Sequence, residues 1–155
     1  MKFTTTLVVL LTLYAVTGFS QVKNLNPATI APTPLFAGYP GSISCKEAEL
    51  GTIFKSLSGQ NINIAFSGTP YFSGTVVSNI QRHNNLQSIA IKLPGLNNAV
   101  LALTKRIDEN NKTIYIGHII NPKNSDAFEL KHLADGSYQF VKTDKERILP
   151  TCSMQ

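Results

Sequence analysis

Charge is thin in this chain: 15% of residues are Asp, Glu, Lys or Arg, against 43% that are hydrophobic. That balance excludes wholesale disorder, which goes with low hydrophobicity and high net charge. Cysteine is scarce as well, with only Cys45 and Cys152. Neither has a second Cys or His at ligand spacing and there is no CxxC, which excludes a zinc centre or a thiol redox motif built on them. Long hydrophobic runs are missing too. The apolar stretch from Leu7 to Val16 is about 10 residues, where a bilayer needs roughly 20.

The usual catalytic patterns are also absent. No serine stands in a G-x-S-x-G turn, and no G-x-x-x-x-G-K-[ST] phosphate loop occurs. The acids Asp108, Glu109, Asp126, Asp135, Asp144 and Glu146 fall in turn-like segments, where carboxylates bond nearby backbone. There are three histidines. His118 and His132 would face one another if their strands paired, with Asp126 or Glu129 near, but no H-x-H places two ligands on one strand face. They are expected to be surface or packed residues. No catalytic, cofactor-binding or metal-binding residue is assigned, and a non-enzyme is expected.

What is present begins with export. Met1 and Lys2, the apolar run, and the small residues Gly18 and Ser20 form the three-part layout of a signal peptide over 1–20, with cleavage expected near Ser20. The chain is therefore expected to be secreted, extracellular or periplasmic, with no membrane span in its mature form. The formal charge of +5 comes from 14 Lys and Arg against 9 Asp and Glu; losing Lys2 leaves 13 against 9, or +4. The cations are scattered, with Lys105-Arg106 the one adjacent pair, as on a solvated sheet face. Nucleic acid is not expected as a partner. In an exported protein the two cysteines have one intramolecular pairing, and a Cys45–Cys152 disulfide is expected. Closing a loop of about 100 residues stabilises a fold by up to about 4.7 kcal/mol in the chain-entropy model.

Residues 21–43 read as an extended arm, since Pro27, Pro32, Pro34 and Pro40 fix φ and remove backbone donors. Its apolar residues exceed what a solvated spacer needs. Two outcomes stay open: the arm packs along its own domain, or Leu35, Phe36 and Tyr39 dock into a partner.

Residues 44–155 read as a single α+β domain. A helix is expected over Ser44 to Gly59, capped by Ser44 and Glu47, with Leu50, Ile53, Phe54 and Leu57 on one buried face and Gly59 ending it. After Gly59 the apolar period drops to 2. NINIAF, YFSGTVVSNI, LQSIAIKL, NAVLALTKRI, KTIYIGHII, DAFELKHL and SYQFVKT read as strands, separated by turn signals such as Pro94-Gly95 and Ala134-Asp135-Gly136. Their short connections make them antiparallel. The expected fold is one N-terminal amphipathic helix on an antiparallel meander of about seven strands, the alternative being a small, partly closed β-barrel. Asn111-Lys112-Thr113 is a glycosylation sequon at an expected hairpin tip, relevant only in a eukaryotic source.

This architecture of arm, helix and curved meander is similar to that of cystatin-like inhibitors and of some protease propeptide domains, although the cystatin Q-x-V-x-G is missing. Function is expected to be non-enzymatic binding of an extracellular protein partner through the arm from Val22 to Gly41, a sheet edge or hairpin tips, inhibitor-like action being one form. A small apolar ligand or glycan held between helix and sheet is the alternative, followed by an enzyme with an unrecognised site.

Overall fold

The computed structural model describes residues 32–67 and 72–149. They form one antiparallel sheet of eight strands: β1 Ser42–Cys45, β2 Asn61–Ile64, β3 Phe72–His83, β4 Leu86–Leu93, β5 Ala99–Ile107, β6 Thr113–Ile120, β7 Asp126–His132 and β8 Tyr138–Asp144. The helix α1, Glu47–Ile53, lies between β1 and β2. Strand order is β1-β8-β7-β6-β5-β4-β3-β2. The α+β meander is therefore present with eight strands, since β1 adds itself beyond β8.

The sheet also curls into a half-barrel, the second expected form. Phe66, just past β2, has its ring 5.2 Å from Phe140 on β8, although these strands stand near opposite ends of the order. Register shifts in β3 between Val76 and Ser78, and again between Gln81 and His83, add local twist that a flat ladder lacks. The concave face carries the alternating apolar residues, such as Ile91, Leu101, Ile119 and Phe140, all 0% exposed. On that face Gly117 sits where a Cβ would lie 2.5 Å from the carbonyl oxygen of Ala102, so only glycine lets β5 and β6 approach as they do.

α1 carries the chain across the concave side from the β1 edge to the β2 edge. It is shorter at both ends than the sequence suggests. Ser44 is not its cap, because Ser44 is paired with Gln139 in β1 and the ladder takes precedence over the capping box. The helix starts after Lys46, whose amide donates to the Glu49 carboxylate at 2.9 Å. At the other end the carboxamide of Asn79 donates to the carbonyls of Phe54 at 2.9 Å and Ser56 at 2.8 Å, capping orphan acceptors from outside. Gln87 Nε2 donates to Phe54 O as well, at 3.2 Å. Leu50, Ile53 and Phe54 are buried as the helical spacing implies, but Leu57 lies beyond the helix and is 73% exposed. Gly59 does adopt the left-handed conformation, with φ +83, in the turn into β2.

The segment before β1 packs on this same domain. Phe36 is 0% exposed, with its ring 4.9 Å from Phe128 and 5.8 Å from Tyr39. Tyr39 in turn stacks on Phe72 at 6.0 Å. Phe36 and its neighbours thus fill one end of the half-barrel. Cys45 is a free, buried thiol and no disulfide joins the described residues; Cys152 lies outside them, as do the expected signal segment and most of the arm. Among the described residues no helix is long and apolar enough to cross a membrane.

Candidate functional site

From Ser56 to Gln81 the sequence contains no charged residue. β2 lies inside that stretch and forms one end of the sheet. The amide of Val76 donates to Gln60 O at 2.9 Å, so the Gln60 carbonyl points at β3, while Val76 O accepts the Gly59 amide at 2.8 Å. Antiparallel ladders alternate, so Ile62 opposite Gly74 and Ile64 opposite Phe72 direct their main-chain groups at β3. Asn61 and Asn63 direct theirs off the sheet. Beyond them no further strand pairs with β2 among the described residues.

The side chains of this edge are ordered as well. Thr75 Oγ1 donates to Asn61 Oδ1 at 2.7 Å and Ser73 Oγ to Asn63 Oδ1 at 2.8 Å. Each asparagine is thereby held in one orientation on the outer face with its NH2 group turned to solvent. On the inner side a groove of about 470 Å³ runs between β2 and α1, walled by Thr52, Ile53, Ser56, Ile62 and Ile64. Glu49 is its one charged lining residue. Its carboxylate is already engaged, accepting the Lys46 amide and the Ser67 hydroxyl, the latter at 3.1 Å. The cap of Asn79 and Gln87 ties the end of α1 to β3 and β4, and it depends on the β3 bulge at Val77, which restores Asn79 to the inward face.

A second cleft, about 680 Å³, opens on the other side of α1 against β5 and β6. It carries one acid, Glu47, and two bases, Lys55 and Lys105. Lys105 Nζ stands 5.6 Å from the centroid of the Phe54 ring, covering it.

The residues singled out in the sequence are spread through the fold. Phe36 is enclosed, while Leu35 and Tyr39 are half-buried against the core. Cys45 is deep in β1, and burial pushes its thiol up to about 12. His118 and His132 are not brought together: His118 stands opposite Glu129 on the outer face, and His132 opposite Tyr138, with their rings 4.8 Å apart. Burial holds the His118 imidazole below its ordinary value, partly offset by Glu129. Among the described residues no three His, Cys, Asp or Glu side chains converge as a metal site would need. Asn111 is exposed at the β5–β6 hairpin with φ 58. The β2 edge was not singled out by sequence, although its signal, a long uncharged run around N-I-N-I, is visible there. No protein-family model, no curated protein and no solved structure matches this chain.

Proposed function

We propose that this chain is an exported, non-enzymatic binding module that engages an extracellular or periplasmic protein partner by taking one of its extended strands onto β2. The observation that carries this is the open edge itself: Asn61 and Asn63 present unpaired main-chain donors and acceptors beside a largely uncharged groove. Strand addition of this kind obtains affinity from main-chain bonds and selectivity from pockets that take alternate side chains. Export rests on the signal-like residues 1–20. Inhibitor-like action is one form such a module takes.

Two features favour the edge over the other surfaces. Phe36, the largest apolar residue of the arm's end, is enclosed by its own domain and has no face left for a partner. Between the two surface clefts the core under the helix is packed: Phe54 is 5% exposed and its ring lies 5.8 Å from that of Tyr115. That packing weighs against a ligand carried in the interior.

The test is capture from the source's secreted fraction with the wild-type chain and with Asn63→Pro. Proline at this position removes an outward N–H and leaves the main-chain bonds to β3 in place, losing there only the exposed bond from the Ser73 hydroxyl to the Asn63 side chain. A partner held by the wild type and lost with the variant, at unchanged melting temperature, is the expected result. Equal capture by both chains would move the site elsewhere.

A further inference from the structure

We infer, on the footing that β2 is a docking edge, that the strand it takes is the β2 of a second copy of this chain, the two running antiparallel about a two-fold axis through Ile62. Such an axis sets Asn61 opposite Asn63 of the other copy. Both residues direct their N–H and C=O outward, so each of the two pairs exchanges both main-chain bonds. A slip of one residue would set an outward residue against one already bonded to β3, and the bonds would be lost. A slip of two would keep the phase but pair Asn61 with Asn61, or Asn63 with Asn63, leaving one such asparagine pair in place of two. The register centred on Ile62 is therefore the one that uses both outward residues of each copy across the axis.

The side chains agree with that register. On the outer face the two asparagines of each pair meet with their carboxamide oxygens already fixed by Thr75 and Ser73. Their NH2 groups are unpaired, and each oxygen retains a second lone pair, so reciprocal amide bonds form across the axis. On the inner face Ile62 meets Ile62 of the second copy, beside the groove wall of Ile53 and Ile64. Leu57 and Val77, 73% and 61% exposed, flank the Gln60 end of the same edge and supply apolar surface to cover.

Charge does not oppose that occupant. The chain carries a formal +5, yet no charged residue lies between Lys55 and Arg82, so two copies meet here without repulsion. Solitary edge strands are commonly guarded by lysine or proline, and β2 has neither. A two-fold contact uses the same patch on both copies and closes, whereas β1 pairing with β2 of another copy would continue into a filament.

Analytical ultracentrifugation of the purified protein tests this, with two double variants, Asn61→Lys with Asn63→Lys, and Asn61→Glu with Asn63→Glu. The wild type should sediment as a dimer that dissociates on dilution. Each double variant alone should be monomeric with an unchanged melting temperature, because like charges then face one another. Mixing the two should restore the dimer, a rescue that simple loss of folding would not give. A wild type monomeric at its highest soluble concentration, a dimer that persists in both variants, or a ladder of larger species would each overturn the inference. A monomeric wild type whose captured partner still depends on Asn63 would leave the strand-docking function standing and remove only the second copy as its occupant.

Discussion

Asp126 and Phe36, 90 residues apart in sequence, are joined through the main chain: the carboxylate accepts the Phe36 amide at 2.9 Å on one oxygen and the Leu35 amide at 2.5 Å on the other. Across the same end of the half-barrel Lys142 donates to the carbonyls of Phe36 at 2.6 Å and Tyr39 at 2.7 Å. An acid on β7 and a base on β8 therefore hold opposite ends of one short turn. The polar clamp sets the turn, and the turn seats the ring.

That arrangement makes Phe36 and Asp126 energetically coupled. Phe36→Ala should destabilise the domain by about 3–5 kcal/mol, the usual cost of emptying a buried aromatic site. Asp126→Ala strands two amides and should cost about 1–3 kcal/mol. Urea denaturation of both single variants and the double should give a double-variant loss smaller than the sum, because each change releases the same turn. A fully additive result would mean that the clamp and the plug act independently.

Gly117 gives a sharper steric test. A Cβ there would meet backbone, the Ala102 carbonyl, at 2.5 Å, and Leu103 Cδ2 at the same distance. Gly117→Ala should therefore cost about 1–3 kcal/mol by overpacking. Gly95→Ala is the control: nothing lies within 4 Å of its Cβ, and it should change stability little. Equal melting temperatures for both variants would show that β5 and β6 can part without cost.

Most of the sheet was legible in the sequence because its strands alternate strictly and its turns carry glycine, proline or asparagine. β2 to β8 match the seven expected runs closely. β1 was not legible, because Ser42 to Cys45 is too short to show a period and is a strand only by pairing with Tyr138 to Val141. The helix was overestimated for the same reason. Ser44 has a local role as a cap and a distant role as a strand residue, and the distant one prevails. Leu57 fitted the helical face, but Asn79 and Gln87, more than twenty residues away, end the helix before reaching it. The candidate site was half legible. The uncharged run is in the sequence, but which residues of β2 face outward depends on the hydrogen-bond phase set by Val76 and Gln60.

Cys45 should be chemically silent in the folded chain. Burial raises its thiol to about 12, with Glu49 adding to the rise and a backbone bond at Phe140 opposing it. Ellman's reagent should find no Cys45 thiol in native protein at neutral pH and should find it on denaturation without reductant. Absence of any thiol after denaturation would instead show Cys45 bridged to Cys152. The stability effect has a defined sign. The unfolded thiol loses its proton near 9.0 and the folded one near 12, so the unfolded state binds fewer protons between them. The contribution is complete below 9.0 and is lost as pH rises through that window.

His118 predicts a pH dependence of the opposite sign. It sits opposite Glu129 on the outer face, and Glu129 is itself paired with Lys131 at 2.6 Å. Burial lowers the His118 imidazole from 6.5, and Glu129 raises it by less. Between that lowered value and 6.5 the unfolded state binds more protons than the folded one, so stability rises with pH there and is fully present above 6.5. NMR titration should place the His118 midpoint below 6.5, and Glu129→Gln should lower it further by removing the one attractive charge. His118→Gln should flatten the fall in urea stability below 6.5 relative to wild type. A His118 midpoint at or above 6.5 would mean that Glu129 outweighs burial, and the stability slope in this window would reverse.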